Sequence, residues 1–137
     1  QILSLMKASD VGLAPYAVNA KMSLPNKAFE YFFAGLPVVS SLQGELETLL
    51  ETHRCGVVYD PTKPNDLLGK LRSLAADRVV IGKMGQRARQ LYENRFSASI
   101  IYSDLIHYLE DIAHTTVLST EQPPKMINLS GDSAFKI

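Results

Sequence analysis

Three short apolar runs punctuate the first half of the 137-residue sequence, and the first two each lead through a loop into apolar residues at helical spacing. Val11-Gly12-Leu13-Ala14-Pro15, Pro37-Val38-Val39-Ser40-Ser41 and Gly56-Val57-Val58-Tyr59-Asp60 predict strands over 11–15, 37–41 and 56–60. Pro37 suits the first position of a strand, where no ladder N–H is needed. Between the first two runs a helix opens at Pro25, with Ser23 placed to cap it, and stops at Gly35, the residue that most often follows a helix end. Between the second and third, Leu46, Leu49, Leu50 and His53 repeat at helical spacing until Gly56 breaks the pattern. Strands this short, alternating with helices, predict parallel βαβ units with right-handed crossovers, hence an open α/β sheet covered on both faces.

Downstream the strands stop and three apolar helical stripes follow. They are Leu67, Leu68, Leu71, Leu74 and Ala75; Val80, Met84, Ala88, Leu91 and Tyr92; and Ile101, Leu105, Tyr108, Leu109 and Ile112, the last capped by Ser97. Beyond His114 the periodicity fades, and 115–137 reads as a flexible tail. At the other end, Ile2, Leu3, Leu5 and Met6 fit the last turns of a helix entered part-way. In a doubly wound sheet the 11–15 strand has a partner from the preceding half of the domain; without one it is an apolar edge that predicts self-association.

Lys+Arg and Asp+Glu balance at 14 each, which argues against a nucleic-acid binder driven by clustered basic residues. The lone Cys55 forms no internal disulfide and fits a reducing compartment, with cytoplasm as the expected location. No apolar run approaches the roughly 18–20 residues that span a bilayer.

In open α/β sheets, ligands bind beyond the C-terminal ends of the strands. The longest loop there, 16–24, delivers the chain into the helix at Pro25. On a helical wheel Ala28, Phe29, Phe32 and Phe33 face inward, while Asn26, Lys27, Glu30 and Ala34 share the other side. The free N–H groups and helix dipole of the turn that opens at Pro25 and runs to Ala28, with the Lys27 charge, would attract a diphosphate, and Glu30 could accept hydrogen bonds from sugar hydroxyls. The same spacing also describes an ordinary Lys27–Glu30 ion pair on a solvated face.

The segment Ser23-Leu24-Pro25-Asn26-Lys27-Ala28-Phe29-Glu30-Tyr31-Phe32-Phe33-Ala34-Gly35-Leu36-Pro37-Val38-Val39-Ser40 resembles the nucleotide-sugar motif of family 4 (group 1) glycosyltransferases, in the subgroup written P-N-K-x-F-E-Y-x-x-x-G-x-P-V-V. Ala8-Ser9-Asp10-Val11-Gly12-Leu13, Cys55-Gly56-Val57-Val58-Tyr59-Asp60-Pro61 and Arg95-Phe96-Ser97 extend the resemblance over 2–113. It implies that 1–114 is the C-terminal part of the Rossmann-like, nucleotide-sugar-binding domain of a two-domain (GT-B) enzyme, with the acceptor domain and base-reading segment before Gln1. The implied activity is retaining transfer of a sugar from a nucleotide-diphosphate donor to a sugar or lipid-linked acceptor, in surface polysaccharide or glycoconjugate synthesis. Glu30 matches the glutamate that holds the nucleotide ribose. The family's preceding glutamate falls on Met22, which accepts no such bond, a departure common in the Pro-Asn-Lys subgroup. Ser23, Leu24, Pro25, Asn26 and Lys27 would then meet the phosphates or the donor sugar. The nucleotide sugar is substrate, no metal or other cofactor is implied, and peripheral attachment to the inner membrane is left open. A nucleotide-sugar epimerase or sugar phosphorylase of the same architecture, or a non-catalytic α/β module, stands as the alternative.

Other candidates carry a plainer reading beside the functional one. Gly82-Lys83-Met84-Gly85 lacks phosphate-loop spacing and reads as surface helix. His53 and Cys55 read as a helix end and a buried thiol before a metal pair, and Asp104, His107, Glu110 and Asp111 as a solvated charged face. The phenylalanines read as core before a stacking platform. Ser40 and Ser41 end a strand on the ligand side, with no histidine near in sequence to activate either.

Overall fold

The computed structural model describes residues 2–118. The order is α1 (Ile2–Lys7), β1 (Gly12–Ala14), α2 (Asn26–Ala34), β2 (Val38–Ser40), α3 (Glu45–His53), β3 (Gly56–Val58), α4 (Asp66–Ala76), α5 (Arg78–Leu91), a π-helical turn (Tyr92–Phe96) and α6 (Ala98–Leu118). The protein is a mixed α/β structure: a three-stranded parallel sheet in the order β1-β2-β3, flanked by helices and followed by C-terminal helices. Each strand is shorter than its apolar run. Regular ladder pairing covers Gly12↔Val38↔Gly56 through Ala14↔Ser40↔Val58. Single bonds extend it, from the Gly12 N–H to the Pro37 carbonyl at 2.9 Å and from the Tyr59 N–H to the Ser40 carbonyl at 2.9 Å.

The described residues divide into two compact units, one ending at Glu93 and the other beginning at Asn94. In the first, alternation along the strands puts Gly12, Val38 and Gly56 on one face of the sheet and Leu13, Val39 and Val57 on the other. The glycine-bearing face takes α2 and α3. A Cβ on Gly12 would lie 2.3 Å from Cγ of Tyr31, and one on Gly56 would lie 2.7 Å from Cδ2 of Leu50. Helix side chains occupy the space that the two glycines leave. On the other face, Val39 and Tyr59 cluster with Leu74 of α4 and Met84 of α5, and Val11, Val57, Leu67, Leu71 and Ile81 pack around them. Both faces of β2 are therefore closed, and its three residues are all buried. β1 and β3 are the sheet edges among the described residues.

Helix ends depart from the sequence reading in two places. Pro25, in extended backbone with φ −78° and ψ 142°, occupies the N-cap of α2, and no side chain caps it; Ser23 is exposed and lies too early to serve. α3 ends at Arg54, in the left-handed region at φ 49° and ψ 44°, and not at Gly56, which lies in β3. Gly35 terminates α2 as its type predicts, with φ 74° and its N–H bonded to the Phe32 carbonyl.

α1 is short and its Ile2 and Leu5 are about seven-tenths exposed. In the second unit α6 runs through Leu118, past the end of its apolar stripe, with Ile101, Leu105 and Leu109 exposed. The Ser97 carbonyl accepts the Ile101 N–H at 3.0 Å, which puts Ser97 at the N-cap position. The rest of the expected tail lies outside the described residues. Among those described, no helix is long and apolar enough to cross a membrane.

Two glycines of α5 separate helix propensity from packing. Nothing lies within 4 Å of a Cβ on Gly82, whereas one on Gly85 would be 2.4 Å from the Gly35 carbonyl oxygen. Gly82→Ala should stabilise the chain by about 0.5–1 kcal/mol through helix propensity. Gly85→Ala should destabilise it by about 1–3 kcal/mol, because backbone has to move. Urea unfolding of the two variants beside the parent measures both, and equal shifts would contradict the close approach.

Candidate functional site

Loops 15–25, 41–44 and 59–65 leave the C-terminal ends of β1, β2 and β3 and meet there. Between them lies an open crevice of about 340 Å³, walled by Ala17 and Val18 from the first loop, Ser41 and Gln43 from the second, and Asp60 and Thr62 from the third.

Two serines tie the first two loops together. Ser40, fully buried, donates its hydroxyl to the Ala14 carbonyl at 3.0 Å and accepts the Leu42 N–H at 3.1 Å. Ser41 donates to the Tyr16 carbonyl at 2.9 Å and accepts the Tyr16 N–H at 2.7 Å. Both hydroxyls are thus committed to backbone. Ser40 is a latch between the ends of β1 and β2, while Ser41 fixes the wall of the crevice.

Asp60 organises the third loop. One carboxylate oxygen accepts the Thr62 hydroxyl at 2.6 Å and the Thr62 N–H at 2.9 Å, and the other faces Lys63 Nζ at 3.3 Å. The Thr62 hydroxyl first, then its N–H and Lys63, hold the Asp60 carboxyl below the usual aspartate range. The Asp60 N–H in turn donates to the Asp66 carboxylate at 2.7 Å, joining the turn to the start of α4.

The six residues expected from sequence gather at the start of α2, on the far end of the 15–25 loop, and none of them lines the crevice. Pro25 is buried and Leu24 half-buried, whereas Ser23, Asn26, Lys27 and Glu30 are exposed. Among the described residues Lys27 and Glu30 make no ion pair with each other or with a third group, so the expected alternative of a surface i,i+3 pair is not the arrangement seen. No side chain caps α2; the Ala28 N–H bonds the Pro25 carbonyl at 2.9 Å, which leaves the Asn26 and Lys27 N–H groups and the Lys27 ammonium as the positive groups at the helix start.

Tyr31 was not legible as a positioning residue. Its ring fills the space over Gly12 and its hydroxyl donates to the Leu13 carbonyl at 3.0 Å. The signal was a glycine inside a strand pattern, which marks a close approach. Tyr31 fixes the rotation of α2 and so leaves its neighbour Glu30 directed to solvent. Phe33 differs from its expected inward position: it is 38% exposed, lies edge-on to Tyr92 with ring centroids 5.2 Å apart, and is covered by the Arg89 guanidinium 4.9 Å from its centroid. Arg89 also donates to the Phe33 carbonyl and pairs with Glu93 at 2.7 Å. Phe32 is core, and Phe29 meets it edge-to-face at 6.3 Å.

The remaining candidates take their plainer readings. Gly82-Lys83-Met84-Gly85 lies within α5. Cys55 is fully buried, and burial pushes its thiol up to about 12. Asp104, His107, Glu110 and Asp111 are exposed, and His107 meets Glu110 at 3.5 Å. No group of three metal-ligating side chains occurs among the described residues.

A family model described as glycosyl transferase-like matches residues 1–106, from α1 through the three strands and into α6. The chain belongs to the glycosyl transferase-like family. No curated protein and no solved structure matches it. Family membership makes a sugar donor and a sugar-accepting group the general substrates, and it places loops 15–25, 41–44 and 59–65 within the matched region.

Two measurements check the buried groups. Ser40→Ala should cost about 1–3 kcal/mol in urea unfolding, since the Leu42 N–H and Ala14 carbonyl would be left unpaired inside the protein. Cys55 should resist a disulfide reagent at pH 8 in the native chain and react at once in denaturant; rapid native labelling would contradict its burial.

Proposed function

We propose that the chain carries part of the donor-nucleotide site of a retaining family 4 glycosyltransferase of GT-B architecture. In this reading residues 1–114 belong to its C-terminal domain, and it acts in surface polysaccharide or glycoconjugate synthesis. The observation that carries the reading is the start of α2. An N-terminus of α2 without a side-chain cap and, one turn apart, Lys27 and Glu30 with no ion-pair partner among the described residues sit together on the matched family region, at the ligand end of the sheet. In the reaction, the bond from the sugar C1 to the diphosphate oxygen breaks with its electron pair going to the diphosphate. A bond from C1 to the acceptor oxygen forms, and the acceptor proton is released. Negative charge therefore grows on the leaving diphosphate. The outward N–H groups of α2 and the Lys27 ammonium meet that charge where it develops, which lowers the barrier. Glu30 accepts hydrogen bonds from the ribose hydroxyls and holds the nucleotide in register. Asn26 supplies a further donor at the helix start, and Ser23, Leu24 and Pro25 present backbone to the phosphates or donor sugar.

Calorimetric titration with UDP and with GDP tests the assignment. Glu30→Ala should weaken the nucleotide that binds by about tenfold or more, the worth of one charge-assisted hydrogen bond. Lys27→Ala should weaken it most at low ionic strength, where an exposed charge is least screened. Unchanged affinity in Glu30→Ala would remove the ribose role.

A further inference from the structure

The crevice at the strand ends is distinct in chemistry from the start of α2, and we propose that it is a sugar-binding subsite for a neutral pyranose ring not carried on the diphosphate. The inference rests on the glycosyl-transfer reading and adds to it a second ligand position. Size is the first argument: about 340 Å³ is at the low end for small-molecule sites, enough for a single ring and too little for a whole nucleotide sugar. Charge is the second. The lining contains one carboxylate, Asp60, and no lysine or arginine. The cation beside it, Lys63, already meets the free Asp60 oxygen at 3.3 Å, so a diphosphate placed there would have to compete with that carboxylate for it, whereas a neutral polyol needs no cation.

The polar groups fit hydroxyl recognition. Asp60 uses one oxygen for Thr62, and the other, facing Lys63, keeps acceptor capacity. Gln43 is exposed and makes no side-chain hydrogen bond among the described residues, so its amide offers both a donor and an acceptor. Val18 and Pro61 supply exposed apolar surface on which the C–H face of a pyranose can rest. The Ser41 bonds to Tyr16 hold two of the three walls at a fixed separation, so the crevice is built before a ligand arrives.

Two-dimensional NMR of the 15N-labelled 137-residue chain, titrated with methyl α-glucopyranoside, methyl α-galactopyranoside, glucose 6-phosphate, UDP and UDP-glucose, tests it. At least one glycoside should shift the amides of Val18, Gln43 and Thr62 in a saturable way. Glucose 6-phosphate should bind more weakly than glucoside. UDP should shift residues 26–30 and leave the crevice unmoved. Gln43→Ala, an exposed position whose fold is checked by the unchanged remainder of the spectrum, should weaken glycoside binding by about tenfold. Asp60→Asn should narrow the preference for the neutral sugar over its phosphate. Absence of any crevice shift with either glycoside at about 100 mM, far above a millimolar Kd, would overturn the proposal. So would glycoside affinity unaffected by Gln43→Ala, or crevice shifts with UDP-glucose alone. Because UDP and glycoside report on different amides, loss of the UDP response at residues 26–30 with crevice binding intact would count against the donor-nucleotide reading and not against this subsite.

Discussion

The close approach of α2 and α3 to the sheet sets the position of everything at its ligand end. Gly12 and Gly56 flank Val38 in register, and their missing side chains let Tyr31 and Leu50 come down onto the strands. Three atoms of the Tyr31 ring would stand within 2.7 Å of a Cβ at Gly12, so no larger residue fits without lifting the helix. The contact also places the Tyr31 hydroxyl on the Leu13 carbonyl. One aromatic side chain therefore fixes both the height of α2 above β1 and its rotation. The fully buried β2 is the consequence: helices close one face through the glycines, and the Val39 cluster closes the other.

From that frame the loops inherit a division of charge. The start of α2 is positive in character, with no side-chain cap and with the Lys27 ammonium free of an ion-pair partner among the described residues. The crevice holds one carboxylate, Asp60, which Thr62 and Lys63 hold below the usual aspartate range, among otherwise uncharged lining side chains. The 15–25 loop borders both. In the two readings proposed above, one zone takes a diphosphate and the other a free neutral ring, which needs surfaces that tell the two apart. Ordered loops are required for that discrimination, and the Ser40 and Ser41 bonds supply the order without occupying any group that a ligand would use.

Much of this was legible in the sequence where a local rule governs. Apolar β-branched runs of strand length, a proline ahead of Val38 and a glycine after Ala34 each specify backbone through their own covalent geometry, and the strand positions and the end of α2 follow them. What escaped was set by partners distant in sequence. Phe33 falls on the inward side of a helical wheel, yet α5 offers it Arg89 and Tyr92 at the surface and not a core slot. Arg54 ends α3 in a left-handed conformation that a side chain enters at a cost of about 1–2 kcal/mol. Gly56, the residue better suited to that conformation, is needed in β3, where a Cβ would stand 2.3 Å from the Val38 carbonyl oxygen. Ser40 and Ser41 do end a strand on the ligand side, where Ser41 lines the crevice, but tertiary contacts with Ala14 and Tyr16 commit both hydroxyls to backbone. The position of the candidate site at the strand ends is an expectation from topology, and the separation into two chemically unlike zones came only from the fold.

The bare N-cap of α2 is the most informative economy in the structure. A serine or aspartate at position 25 would satisfy one of the free N–H groups and stabilise the helix by about 1 kcal/mol. The proline side chain satisfies none, and only its carbonyl serves the first turn, accepting the Ala28 N–H at 2.9 Å, while its fixed φ suits the extended backbone that enters the helix. α2 can go without a cap because its stability comes from elsewhere: Phe32 and Ala28 are fully buried, Gly35 closes the C-terminal end, and Tyr31 anchors the middle. A helix held so firmly along its length can leave its first N–H groups to solvent in the empty state. In the donor-site reading, the stability given up at the cap is recovered as binding energy when an anion arrives, and more of it as the leaving group gathers charge.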